Sequence, residues 1–259
     1  MDVVLALGGG GVKGVGHICV LEALDDLGIR PKAIAGTSAG ALVGSAYSAG
    51  FSGAELRAHV RRLSARKAAT AWEIIRDPRN RGGLIDPEAF YDLGVPEGMP
   101  ARFEDLVIPF TAIATDFYGH SCVEYAKGPL RPAVSASIAI PGLFAPVRFE
   151  GRTLMDGGLV RNLPVLSLPE GFTIAVDVLD YPTPGSGEGR RHAAMGALRI
   201  MMKNINLRDL EVRKPDVLLV PDTAGAGPLD IFRMADILNA NAGLRDTVKR
   251  AIDQAIGGT

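Results

Sequence analysis

Two segments of this chain hold residues able to do nucleophilic chemistry. Gly36-Thr37-Ser38-Ala39-Gly40 has the pattern G-x-S-x-G. In that pattern the serine sits on a tight strand-to-helix turn, and small residues two places either side keep the turn from clashing. Its Oγ then stands clear of the sheet edge, near the start of the next helix. The second segment is Met155-Asp156-Gly157-Gly158, a carboxylate between an apolar strand and two glycines that leave space beside it. A third, Gly8-Gly9-Gly10-Gly11-Val12-Lys13-Gly14, lacks a nucleophile but offers backbone N–H groups at a helix N-terminus. Glycine lets such groups approach an anion closely.

A serine hydroxyl needs a base. The histidines are His17, His59, His120 and His192. His17 falls early in a helix, His59 in a charged helix, His120 in a turn and His192 beside Arg190-Arg191. None has a distinctive catalytic context. The order Ser38, Asp, His192 matches that of an α/β-hydrolase triad, but His192 reads as a helix start rather than a loop returning to the serine. Asp156 is the other candidate. The blander readings are a helix N-cap for Ser38 and an Asx-type turn residue for Asp156. Ser45 and Ser48 lack the pair of glycines two places either side.

The glycine run also satisfies G-x-G-x-x-G over Gly9–Gly14, and it follows a strand and opens a helix. A dinucleotide site further needs a carboxylate at the end of the second strand for the ribose hydroxyl. Here that strand ends Ala33-Ile34-Ala35-Gly36-Thr37-Ser38. A Walker A loop needs Gly-Lys-Ser/Thr, also missing. The remaining anion is an oxyanion that exists only in a transition state, with a ligand-free tight turn as the plain alternative.

These pieces need a scaffold. Val3–Leu7 reads as a buried parallel strand and 13–27 as a helix stopped by Gly28. Residues 31–35 read as a second strand, and 39–49 as a buried helix of small residues. Ser52-Gly53-Ala54-Glu55 is a capping box for a third helix. The alternation predicts a parallel sheet with helices on its faces. Residues 76–100 are rich in Pro, Gly and Arg and read as an excursion with short helices. Further strands are expected at 107–114, 121–125, 173–178 and 217–220, and a hairpin at 147–155 turning at Glu150-Gly151. A loop is expected at 182–189, with helices over 191–212 and 229–256.

The 259 residues suffice for one large α/β domain, and with 47% apolar residues a large core can be buried. Basic and acidic residues number 28 and 29, so no nucleic-acid partner is expected. Cys19 and Cys122 form neither a disulfide framework nor a metal site. No signal-peptide pattern is visible, and no run approaches the ~18 apolar residues of a membrane span. A cytoplasmic protein is expected, one that can still work peripherally at a membrane surface. No metal and no cofactor is expected.

Taken together, the Gly9–Gly14 loop, Gly36–Gly40 and Asp156-Gly157-Gly158 resemble the patatin-like phospholipase family. The stretch Ala136-Ser137-Ile138-Ala139-Ile140-Pro141-Gly142-Leu143-Phe144-Ala145-Pro146 resembles the segment before that family's aspartate. The similarity runs from about residue 2 to 180. Residues 181–259 match less clearly and are expected to complete a single 1–259 domain with helices and a strand. The resemblance implies a three-layer α/β/α sandwich with a central mostly parallel sheet, shared broadly with acyl-transferase and lysophospholipase folds. It implies Ser38 as nucleophile and Asp156 as base without histidine, with an oxyanion hole from the Gly9, Gly10 and Gly11 amides. Gly14, Gly36, Gly40, Gly157 and Gly158 are the supporting motif positions. Lys13 stands where the family has Arg or Lys, either bracing the loop or meeting an anionic head group.

The implied substrate is a fatty-acyl ester or phospholipid, cleaved by hydrolysis. Leu143, Phe144 and Leu159 are candidates for the acyl pocket. So is a segment at 72–95 with Trp72, Ile74, Ile75, Leu84 and Phe90, read as a lid or interfacial patch, with ordinary core packing as the plain alternative. Two other functions remain open: an acyltransferase of related fold, and a nucleotide- or lipid-binding module that uses only the glycine loop.

Overall fold

The computed structural model describes residues 2–65, 77, 80, 84–179, 190–227 and 230–257. For 190–192, 231 and 256–257 it describes the backbone alone. Trp72, Ile74, Ile75 and the 182–189 loop lie outside the described residues.

Strand β1 (Val3–Leu7) is buried at every position. Val3, Leu5 and Leu7 join a large cluster on one side, while Val4 and Ala6 join a small one on the other. A strand apolar on both faces belongs in the middle of a layered sheet, and β1 lies between β2 (Ala33–Thr37) and β7 (Phe172–Val176), parallel to both. β2 pairs in parallel with β3 (Phe110–Asp116), and β7 with β8 (Val217–Leu219). Three further strands, β4 (Ser121–Tyr125), β5 (Val147–Phe149) and β6 (Arg152–Asp156), add antiparallel pairings around β3. The sheet is therefore mixed, with the expected parallel part at its centre. The hairpin turns at Glu150 and Gly151, both at positive φ (50° and 73°), as the twist of a two-residue turn requires.

Helices cover both sides, giving three layers. The larger cluster is built with α1 (Gly16–Asp26), α2 (Ala39–Ser48), α3 (Gly53–Ala65), α4 (Pro87–Gly94) and α5 (Leu130–Ser137), joined by α7 (Met234–Ala240) and α8 (Leu244–Gly257). The smaller cluster contains Val4, Ala6, Ala35, Leu163 and Ala175, and α6 (Arg190–Val212) packs there through Leu210.

The capping box forms: Glu55 Oε2 accepts from Ser52 N at 2.8 Å and Ser52 Oγ from Glu55 N at 3.3 Å. Two helices differ from expectation. Gly11–Val15 is a 3-10 turn before α1, and it passes so close to α2 that a Cβ on Gly14 would lie 2.3 Å from that of Ala39. The segment from 229 onward is not one helix. It breaks at Asn241, whose side chain accepts from Asp222 N (2.8 Å) and donates to Asp222 O (2.7 Å), tying the chain to the loop after β8.

Candidate active site

The position of the site follows from strand register. Ile34–Thr37 of β2 pair with Phe110–Ile113 of β3, and Asp156–Leu154 of β6 pair with Ala114–Asp116. β4 pairs with Ala112–Asp116 throughout. A strand has two edges, so β2 and β6 must share the edge opposite β4. They run in opposite senses and meet end to end, Thr37 beside Ile113 and Asp156 beside Ala114. The residue after Thr37 is Ser38. Two chain segments 118 residues apart thus deliver a hydroxyl and a carboxylate to one point, and Ser38 Oγ donates to Asp156 Oδ2 at 2.6 Å.

Ser38 adopts φ 54° and ψ −121°. For a non-glycine residue this costs on the order of 1–3 kcal/mol. The surroundings hold it there. Its N–H donates to Ser137 Oγ at 2.9 Å, and Thr37 Oγ1 donates to the Arg161 carbonyl at 2.9 Å. Gly36 and Gly40 face each other across the turn, and a Cβ on Gly36 would lie 2.5 Å from the Gly40 carbonyl oxygen. Asp156 is held equally firmly. Its N–H donates to the Ala139 carbonyl at 3.0 Å, and its carbonyl accepts from Thr115 Oγ1 at 2.8 Å. Its Oδ1 accepts from Gly158 N at 2.7 Å. Gly157 passes so close to β3 that a Cβ would lie 2.3 Å from the Ile113 carbonyl oxygen.

Both side chains are buried, each 4% exposed. Burial pushes the Asp156 carboxyl up to about 6, against the opposing pull of the Ser38 and Gly158 hydrogen bonds. A carboxylate so placed is a better proton acceptor than one in water.

The glycine loop reaches the same cavity, with Gly10, Gly11 and Lys13 on its wall beside Ser38 and Asp156. Gly9 differs from its two neighbours. Its N–H donates to the Asn162 carbonyl at 3.1 Å, so it is already engaged. What Gly9 supplies is closeness: a Cβ there would lie 2.6 Å from Asn162 Oδ1 and 3.0 Å from Ser38 Cβ. Lys13 is 1% exposed. Asn162, fully buried, also donates from Nδ2 to the Gly9 carbonyl at 3.4 Å, and it ties the glycine loop to the segment after Asp156. Ser137 and Asn162 carried no motif of their own in the sequence. Ser137 stood in the stretch before the aspartate and Asn162 six residues after it, the only available pointers.

None of the three histidines with described side chains lines the cavity. His17 is buried with Nε2 on the Gly8 carbonyl at 2.8 Å, and burial lowers it to about 4, so it is neutral. His59 meets the Leu93 carbonyl and His120 is exposed in its turn. His192 is in the first turn of α6, and its side chain lies outside the described residues.

Leu159 lines the cavity together with Ile140 and Pro141. Leu143 and Phe144 do not: Phe144 stacks edge-on with Phe90 at 5.1 Å, and Leu143 packs on the core. The described part of the expected lid is fixed instead to this stretch, Ile85 N donating to the Leu143 carbonyl and Ala145 N to that of Ile85. The cover over the cavity is α6, through Met195, Leu198, Arg199 and Met202. A Cβ on Gly158 would lie 2.6 Å from Met202 Cε. The cavity is partly open and its volume is about 40 Å³, room for about three waters. A long acyl chain needs more room than this, which movement of the α6 side chains would supply.

Fold and site together define an α/β protein with a serine elbow and a buried partner carboxylate at the carboxyl edge of its parallel strands. A patatin-like phospholipase family model matches residues 5–169. The chain belongs to that family. It is 39% identical over 182 residues to an uncharacterized NTE family protein of Mycobacterium bovis, covering 68% of this chain and 49% of the relative. It is 33% identical over 189 residues to lysophospholipase NTE1 of Cryptococcus neoformans, covering 68% of this chain and 11% of that protein. The chain thus corresponds to half or less of the length of these curated relatives. Among solved structures, ExoU of Pseudomonas aeruginosa, in complex with SpcU, shares the fold at TM-score 0.52 and 15% identity. That match covers 98% of this chain and 51% of ExoU.

Proposed function

We propose that this chain is a lipid acyl hydrolase acting through Ser38 and Asp156. The observation that carries the reading is the 2.6 Å hydrogen bond from Ser38 Oγ to a buried carboxylate whose proton affinity is raised. As Oγ attacks an ester carbonyl, Asp156 takes its proton. The carbonyl oxygen becomes an oxyanion, received by the Gly10 and Gly11 amides. Gly9 is left out of the donor set because its N–H is spent on Asn162. The leaving alcohol or lysophospholipid takes the proton from Asp156, and an acyl-Ser38 ester remains. Water then repeats the sequence: Asp156 removes its proton, the fatty acid departs and Ser38 regains a proton. A base with a pKa near the operating pH suits this double role. Membership of a phospholipase family supports the substrate class, as does the apolar wall formed by Ile140, Leu159, Met195 and Met202. Among the described residues no helix is long and apolar enough to cross a membrane.

Labelling with a fluorophosphonate tests the reading. Ser38 should take the label, and the rate should rise with pH through a midpoint near 6 as Asp156 loses its proton. No adduct on Ser38, or a midpoint near 4, would count against it.

Asn162 acts here as a positioning residue. Asn162→Ala should slow labelling about tenfold through a misplaced glycine loop and lower stability by about 1–2 kcal/mol. An unchanged labelling rate together with the lost stability would leave Asn162 a purely structural residue.

A further inference from the structure

Helix α6 is apolar on two sides. Met195, Leu198 and Met202 face the cavity, and Asn206 is fully buried further along. On the opposite side Ile200 and Met201 are 52% and 62% exposed and Leu207 is 47% exposed. Ala193, Ala194 and Ala197 are exposed in the turns before them. Positions 193, 197, 200, 204 and 207 recur at spacings of three and four, so they form one line along the outer face. Only Asn204 on that line is polar. A water-facing helix usually carries its charges there.

Charged residues take over beyond Leu207, where Glu211 continues the line and Arg208 lies beside it. Residues 190–214 hold seven Arg and Lys against two carboxylates, a surplus of five, while the chain as a whole is at −1. Arg208, Glu211 and Lys214 are exposed at the far end of the stripe, two cations against one carboxylate. An apolar stripe bordered by cations fits an anionic bilayer, with the apolar side chains among acyl chains and the cations at head groups.

We propose that the outer face of α6 docks on an anionic phospholipid surface, Ile200, Met201 and Leu207 entering the acyl boundary and Arg208 and Lys214 meeting lipid phosphates. The charge complementarity argues for this occupant, and the choice of lipid rests also on the reading of Ser38 as the nucleophile toward fatty-acyl esters. The same helix then bounds the membrane on one side and Ser38 on the other, so the dyad lies about one helix diameter, ~10 Å, from the lipid.

Co-sedimentation with phosphatidylcholine vesicles, with and without phosphatidylglycerol, tests the surface. The whole chain should bind the phosphatidylglycerol vesicles and release as salt rises. Ile200→Glu with Met201→Glu should weaken binding about tenfold, and so should Arg208→Glu combined with Lys214→Glu. Fluorophosphonate labelling in vesicle-free buffer should not change in either variant, which also shows that they fold. Equal binding by wild type and variants, or no binding by any, overturns the proposal. A wild-type dimer that becomes monomeric in the apolar variant, with vesicle binding unaltered, also overturns it, because the face would then serve a second copy. Vesicle binding with no label on Ser38 upholds the surface and sinks the hydrolase reading instead.

Discussion

Asp156→Asn is expected to abolish turnover and, at neutral pH, to make the protein more stable. Asparagine keeps the shape of the side chain and can still accept from Gly158 N. It cannot take a proton from Ser38. Loss of a general base costs about 10²–10⁴-fold, and here the same group serves both halves of the reaction, so a fall of ~10³-fold or more is expected. The stability effect follows from linkage. The folded carboxyl titrates near 6, above its ordinary 3.8. Between those values the folded state binds more protons than the unfolded one, so stability falls as pH rises from about 4 to 6 and stays low above that. Asparagine removes this loss, worth on the order of 1–3 kcal/mol at pH 7. Urea unfolding of both proteins at pH 4, 5, 6 and 7 should show the difference growing with pH. His192→Ala is the companion variant and should hydrolyse esters within about twofold of wild type. Activity retained in Asp156→Asn and lost in His192→Ala would sink the dyad.

Gly40→Ala should unfold the elbow. A Cβ there would lie 2.1 Å from the Leu7 carbonyl oxygen and 2.8 Å from that of Gly8. Neither atom can yield cheaply, because Leu7 ends the central strand and Gly8 N is bonded to the Val176 carbonyl. Overpacking against backbone at this depth should cost about 3–5 kcal/mol, roughly 10 °C in Tm for a chain of this size. Gly243→Ala is the control: nothing lies within 4 Å of its added carbon, and its stability should change by less than about 1 kcal/mol. Equal melting of the two variants would show that the elbow tolerates a wider approach than the geometry allows.

Much of this architecture could be read from the chain. Buried strands such as Val3–Leu7 are continuous apolar runs ending at glycine, and Ser38 and Asp156 were marked by the glycines that their turns demand. Those signals are local, and local signals survive in sequence. Ser137 was legible only as part of a longer stretch, since its hydroxyl acquires meaning from an amide 99 residues away. Asn241 interrupts the C-terminal helix through bonds to Asp222 that a helical pattern cannot announce. Of the expected lid at 72–95, the described part from 84 onward is held in place, since Phe90 spends its ring on Phe144. Helix α6 conceals its role because it is apolar on two sides, which weakens the periodicity that would have located its inner face.

The end-to-end meeting of β2 and β6 makes the hairpin before Asp156 a ruler. The carboxylate reaches Ser38 because Asp156 is the fifth residue after the turn at Glu150 and Gly151, and because β6 pairs with β3 at one fixed offset. Successive strand residues point to opposite faces and advance about 3.4 Å each. Adding or deleting one residue between 151 and 156 would bring Met155 or Gly157 to the serine and turn the carboxylate away. Exposed side chains along that hairpin, such as Arg148, are free to vary in ways that its length is not.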